Sequence, residues 1–174
     1  MSLNKLGYFQ QLRIEFIEFR LEYFSSISRK DLMEQFEIGP ASASRDLAIY
    51  IELAPNNLVL RHENKQYFRS NDFSPFFDHE HQSVINSLSN GFAGITKNNK
   101  TLKNKLVDLR VIENFDLATL GAVYRSHISN KELEIDSDFF SIKRVFLSES
   151  GIVSIELYDV KNQRIFNQSL KNIK

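Results

Sequence analysis

Arg45 stands among small neighbours in the segment ASASRDLAIYIELAP, residues 41–55, and no other stretch of the chain proposes a chemistry as directly. Projected as a helix at about 100° per residue, the segment puts Ala43, Leu47, Tyr50, Ile51 and Ala54 on one side, the side expected to be core. Arg45 falls almost opposite, flanked by Ala41, Ser42, Ala48, Ile49 and Glu52. Small side chains around one long cation let a helix approach a nucleic-acid groove closely. Arginine is the commonest bidentate reader of guanine, serine bonds a base edge or a phosphate, and isoleucine can touch a thymine methyl. Ser42, Ser44, Arg45 and Ile49 are therefore the expected base-reading set. Asp46 lies off to the side and is expected to pair with an N-terminal arginine such as Arg20. An isolated helix with these residues would read equally well as a solvated surface element, so its neighbours decide.

Those neighbours fit. ISRKDLMEQFEI, residues 27–38, opens with Ser28 three residues before Asp31, a capping-box spacing, and Leu32, Met33 and Phe36 supply its buried side. Gly39-Pro40 is expected to end it, with the glycine in a left-handed cap and the proline opening the next helix at about residue 41. That helix should stop before Pro55. Residues 58–60 and 66–69 look like strands joined by the polar turn His62-Glu63-Asn64-Lys65. Helix, tight turn, helix and hairpin in this order outline a winged helix-turn-helix, which places its second helix in the DNA major groove. Arg29 and Lys30 at the start of the first of these helices, with Arg61, His62, Lys65 and Arg69 of the wing, are the expected phosphate contacts. Such contacts position a protein without reading sequence.

Upstream, residues 3–25 have helical periodicity. Phe9, Leu12, Phe16, Phe19 and Tyr23 share one face, while Ile14, Ile17, Leu21 and Phe24 make a second stripe. Gln11, Glu15, Glu18 and Glu22 are left as the polar face, and Arg13 and Arg20 sit between the stripes. Two stripes call for two partners, one of them a later helix or a second subunit. Downstream, NDFSPFF reads as a linker that docks its aromatics, and residues 78–89 as a helix. GFAGITKNNKTLKNK reads as a loop leading into a weak helix, and residues 116–126 as a clearer helix that can extend back toward Leu102. From Lys131 the texture turns β, with hairpin turns at Ser150-Gly151 and Lys161-Asn162. The expected class is α+β: a winged domain over residues 1–72, a connector over 73–115 and a small β-rich domain over 116–174.

Bulk composition bounds the alternatives. A hydrophobic fraction of 42% and fifteen phenylalanines can fill a core, and zero cysteines exclude disulfides, thiolate metal sites and thiol catalysis. With no leader pattern and no long apolar run, a soluble, cytoplasmic protein is expected. The 22 basic and 22 acidic residues cancel, which counts against nucleic-acid binding unless the cations are sorted onto one face and doubled in a dimer. Asp78-His79-Glu80-His81 invites a metal reading, but histidines two apart on a helix do not face one site, and a solvated acidic helix start is preferred. His127 reads as structural, and Lys97, Lys100, Lys103 and Lys105 as a solvated face. No phosphate loop and no nucleophile elbow occurs, so neither an enzyme nor a cofactor is expected.

The stretch RIEFIEFRLEYFSSISRKDLMEQFEIGPASASRDLAIYIELAPNNLVLRHENKQYF resembles the N-terminal region of the BrxR/CapW family, WYL-domain transcription regulators associated with bacterial anti-phage defence loci. FIEFRL, RKDLMEQFEI, the ELAP-x-NL ending and the K-x-Y of the wing carry the likeness, over residues 11–68. The resemblance implies a homodimeric repressor that binds inverted repeats in double-stranded DNA. A weaker likeness continues: FDLATLGAVYRSHISNKELEI and GIVSIELYDVKNQRIFNQSLKNI are similar to the opening and closing parts of a WYL domain, an Sm-like β-barrel. Tyr158-Asp159 and Arg164-x-Phe166 fall in suitable places. The Trp-Tyr-Leu signature would lie near residues 151–154, where neither aromatic is present, and Asp136-Ser137 replaces the tyrosine after the first strand. The chain also stops where the family continues into a dimerisation extension. The second domain is thus expected to be divergent and truncated, and no ligand site is carried over to it. The competing expectation is a protein-interaction module that pairs with a full-length regulator without reading DNA itself.

Overall fold

The computed structural model describes Leu3 and residues 6–96, 115–148 and 150–173. The chain divides into two compact units, Met1–Leu102 and Lys103–Lys174. Among the described residues, the first unit runs α1 (Tyr8–Phe24), β1 (Ser26–Ile27), α2 (Arg29–Phe36), α3 (Pro40–Leu53), β2 (Leu58–Arg61), β3 (Gln66–Arg69) and α4 (His81–Asn90). Its strands form an antiparallel sheet in the order β1-β3-β2, with Ser26 opposite Phe68 and Leu58 opposite Arg69. The short β1 fastens the helical part to the wing.

α1 is the centre of this unit, and both of its apolar stripes are used inside it. Ile14, Phe16, Ile17, Phe19, Leu21 and Tyr23 are buried. Phe92 closes over the first stripe, its ring 5.0 Å from Phe16 and 5.1 Å from Phe19. The second stripe therefore does not wait for another subunit; only the start of the helix breaks the pattern, with Phe9 72% exposed.

The face expected to be polar is also covered. Glu18 and Glu22 are 0% and 3% exposed, because residues 70–96 fold back over α1. Glu18 accepts from Tyr50 Oη and from the Phe76 amide at 2.9 Å each, from the Phe77 amide at 2.9 Å, and from His79 Nε2 at 2.8 Å. A carboxylate only accepts, so Nε2 carries a proton toward Glu18, and Nδ1 lies 3.2 Å from Tyr23 Oη. Burial and the neighbouring Glu18 charge push the Tyr50 phenol far above its ordinary range, which keeps it a donor. Asn57 donates to Tyr50 Oη and to Ser74 O and accepts from the Ser74 amide, joining the root of the wing to the same network. NDFSPFF thus docks through backbone amides and through the Phe73 ring, which lies against Arg69, while Phe76 stays exposed. Further on, Glu15 accepts from the Ile95 amide and Thr96 Oγ1, and burial still raises its carboxyl above the ordinary value. Residues 73–96, expected as linker and connector, belong to the packed first unit.

In the second unit, Asp116 caps α5 (Leu117–Ile128) by accepting from the Ala118 and Thr119 amides. β4 (Leu133–Ile135), β5 (Asp138–Leu147), β6 (Val153–Asp159) and β7 (Arg164–Ser169) follow as an antiparallel meander in sequence order. Asp136 and Ser137, with φ of 51° and 70°, form a two-residue turn of the primed kind that fits the twist of a hairpin. Along β6 the residues Val153, Ile155 and Leu157 alternate inward, and Leu120 and Val123 of α5 are buried with them. His127 is structural, with Nδ1 donating to Ile142 O at 3.0 Å. The four-strand sheet with five helices makes the protein α+β among the described residues. None of its described helices is long and apolar enough to cross a membrane. The lysine run 97–105 and any backward extension of α5 lie outside the described residues.

Candidate nucleic-acid interface

The presentation of α3 begins with the turn before it. Ser28 and Asp31 make the capping box that starts α2, with the Ser28 amide donating to Asp31 at 2.6 Å and the Asp31 amide donating to Ser28 Oγ at 3.3 Å. α2 ends two residues earlier than its glycine suggested. Glu37 takes the left-handed position at φ 52°, while Gly39 is extended at φ −75° and serves as the N-cap of α3, followed by Pro40 at the first helical position. The turn needs one left-handed residue, and Glu37 already supplies it.

From behind, α3 is held by α1. Asp46, 1% exposed, accepts from Arg13 Nε at 2.6 Å and Gln10 Nε2 at 3.0 Å, and Tyr50 is tied to Glu18. Arg13, not Arg20, is the partner of Asp46. Arg20 turns to α2, its guanidinium 3.6 Å from Asp31 and 4.6 Å from the centre of the Phe24 ring. Two arginines seven residues apart on α1 therefore pin α3 and α2 separately, which accounts for charge between two apolar stripes.

The front of α3 carries Ala41, Ser44, Arg45, Ala48 and Glu52 exposed, with Ser42 partly so. Ile49 does not belong to it. At 5% exposure it is buried, three residues beyond Asp46 and on the same side of the helix, where α1 packs. The projection placed it at the edge of the exposed arc, but two flanks of α3 are covered rather than one. Ser44 is engaged sideways, its Oγ 3.5 Å from Arg29 Nη1.

Beside this front lies a notch of about 210 Å³. Arg29 from α2, Ser44 from α3, and His62 and Lys65 from the β2–β3 turn supply its polar groups; Leu47, Leu60 and Tyr67 supply the apolar wall. Four of the expected site residues are thus brought to one place. Arg61 is exposed on the wing, its guanidinium 4.4 Å above the Phe68 ring. Lys30 forms an exposed pair with Glu34 at 3.5 Å, the kind of contact that leaves an ammonium available. Arg69 is a correction. It bonds Glu22 at 3.1 Å and lies 4.5 Å over Phe73, so its charge is spent on holding the wing and the following segment to α1. Sequence reasoning missed the contributions of Leu47, Leu60 and Tyr67, which only the pairing of wing and helix reveals.

Elsewhere the acidic and histidine-rich segments resolve into structural tasks. His79 faces Glu18, and Glu80 caps α4 by accepting from the Gln82 and Ser83 amides. Among the described residues no cluster of three histidines or carboxylates suits a metal ion. In the second unit Asp159 accepts from the Asn162 amide at 3.0 Å, its side chain at 2.7 Å and Arg164 Nε at 3.4 Å. The Asn162 bonds hold its carboxyl below the ordinary range, and the residue organises the β6–β7 turn.

Comparison with known proteins agrees with this geometry. Residues 10–89 match the BrxR transcriptional regulator winged helix-turn-helix domain, a span that takes in the folded-back segment as far as residue 89 and nearly all of α4. The DNA-binding transcriptional repressor CapW of Stenotrophomonas maltophilia is 30% identical over 134 residues, 72% of this chain and 45% of that protein. CapW of Escherichia coli (strain KTE188) is 37% identical over 68 residues, 39% of this chain and 23% of that protein. The chain thus spans less than half the length of these curated relatives. With α3 fixed from behind, open in front and flanked by a wing, residues 10–89 form a winged helix-turn-helix of the kind that the BrxR domain describes, and the chain is similar through it to the CapW repressors.

Proposed function

We propose that this protein is a cytoplasmic, sequence-specific DNA-binding transcription regulator, a repressor that acts as a homodimer on an inverted repeat within a bacterial defence operon. The observation that carries the reading is the front of α3. Arg45 stands exposed among Ala41, Ser42 and Ala48, while the opposite side of the same helix is locked to α1 by Asp46 and Tyr50. A helix so held presents its outer side chains in fixed register, which groove reading requires. Arg45 reads a guanine, and Ser42 bonds a neighbouring base edge or phosphate. Lys30 and Arg61 contribute general phosphate attraction. Ile49 and Arg69 have no part in it. The CapW relatives are named as repressors, which supports the direction of control.

The competing reading, a protein-pairing module, is favoured by the neutral net charge and by a second apolar stripe on α1. That stripe is buried in its own unit, so it offers no surface to a partner. The test is selection of bound duplexes from a random pool, followed by mass in solution and a salt series. An inverted repeat with half-sites about 34 Å apart is expected, with affinity falling steeply as salt rises. Arg45→Ala should lose roughly 1–3 kcal/mol of binding and relax one base position. Unchanged discrimination between selected and scrambled duplexes in that variant would remove α3 from the role.

A further inference from the structure

Three elements distant in sequence bring donors to one concavity without bringing a carboxylate. Arg29 is the first residue of α2, Ser44 lies in the first half of α3, and His62 and Lys65 belong to the wing turn; no Asp or Glu lines the notch they form. In a chain with 22 acidic and 22 basic residues, a hollow whose charged lining is basic throughout is a sorted feature. Arg29 Nη1 reaches Ser44 Oγ at 3.5 Å, and Lys65 occupies the left-handed position of its turn at φ 54°. Leu47, Leu60 and Tyr67 form a wall on which water has few partners, which strengthens charge-assisted hydrogen bonds made inside.

We propose that this notch seats one phosphodiester group of the DNA backbone and so sets the register of α3 in the groove; the inference rests on the DNA-binding reading above. Arg29 and Lys65 supply opposing cationic donors, Ser44 and Tyr67 hydroxyl donors, and His62 a further donor from the wing tip. Ser44 then leaves the base-reading set: it orients Arg29 and faces the backbone, while Arg45, one residue on, faces the bases. A diffuse cationic surface would feel every phosphate nearly alike. A seat made by α2, α3 and the wing together singles out one.

The selected duplexes are resynthesised with a single neutral methylphosphonate at successive positions. The parent should lose about tenfold in affinity at one phosphate per half-site and less than about twofold elsewhere, the scale of one lost charge-assisted contact. Arg29→Ala and Lys65→Ala should bind the unmodified duplex more weakly and be indifferent to the modification at that phosphate. Ser44→Ala should keep the parent's base preferences. Both cations are exposed, so thermal midpoints equal to the parent's show that these variants are folded. If both respond to every methylphosphonate as the parent does, or if no phosphate stands out, the seat is refuted while DNA binding stands. If the pool yields no duplex, the DNA-binding reading fails and the seat with it.

Discussion

α1 and the α3–wing surface use charge in opposite ways. On α1 the carboxylates of Glu18 and Glu22 are buried, and every acceptor position described for Glu18 is filled by an amide, a phenol or an imidazole. On α2, α3 and the wing, Arg29, Arg45, Arg61 and Lys65 stand exposed. The same elements also expose Glu34, Glu37, Glu52 and Glu63, so the cations are set apart only locally, at the notch, whose lining holds no carboxylate. A sum over the sequence counts buried carboxylates as if they faced DNA. Part of the acidic charge is consumed as internal cement, and what remains outside is sorted by position.

The largest effect should come from breaking the acidic side. Glu18→Ala would leave the Tyr50 hydroxyl, the His79 ring and the amides of Phe76 and Phe77 without their acceptor. Each orphaned buried donor costs about 1–3 kcal/mol, partly recovered by water, so a total loss on the order of 3–5 kcal/mol is expected in urea unfolding. A loss under about 1 kcal/mol would mean that this face behaves as ordinary surface. Next comes Asp46→Ala, which strands a mostly buried Arg13 and should cost about 2–3 kcal/mol. Adding Arg13→Ala should recover part of that cost, with a coupling of roughly 1–2 kcal/mol in the double-mutant cycle. Additive losses would mean the pair contributes nothing as a pair.

The cationic side should respond differently. Arg45→Ala should change stability by no more than about 0.5 kcal/mol while lowering DNA affinity roughly tenfold or more. Asp46, its neighbour in sequence, should show the reverse emphasis. Matching losses of stability and affinity in both variants would erase the distinction between the two faces of α3.

Much of this arrangement was legible in the sequence because it is local. Ser28 and Asp31 announce the start of α2, Pro40 the start of α3, and the polar turn 62–65 the hairpin. Each depends on backbone rules that act within a few residues. The errors share a cause as well. Periodicity assigns glutamate to solvent, and nothing within α1 says that residues 70–96 will return to cover Glu15 and Glu18, or that Arg69 will bind Glu22. Ile49 and Arg69 were misplaced for the same reason: the partners that bury or bind them, α1 and Glu22, are remote in the chain. Gly39 misled more simply. Glycine suits a left-handed cap, but Glu37 had taken that conformation two residues earlier.

Glu15 on the covered side of α1 and Glu80 at the cap of α4 offer a finer test, because their carboxyls shift in opposite directions. Burial raises the Glu15 carboxyl in the folded state. Its contribution to stability is then greatest in acid and declines as pH rises through the folded value. At Glu80 burial pulls the same way, but the Ser83 and Gln82 bonds outweigh it and the folded carboxyl lies below its ordinary 4.5. The unfolded chain therefore takes up the proton more readily. The Glu80 contribution is complete above the unfolded value and disappears as pH falls through the folded one. Glu80→Ala removes the cap of α4 and should cost about 0.5–1 kcal/mol at neutral pH, solvent screening keeping it at the low end of capping effects. That penalty should shrink on acidification because the parent then loses the same interaction. Glu15→Gln should instead flatten a decline that the parent shows on the alkaline side. Parallel pH profiles for the two variants would mean that both carboxylates sit in equivalent surroundings, and that burial over α1 does not distinguish them.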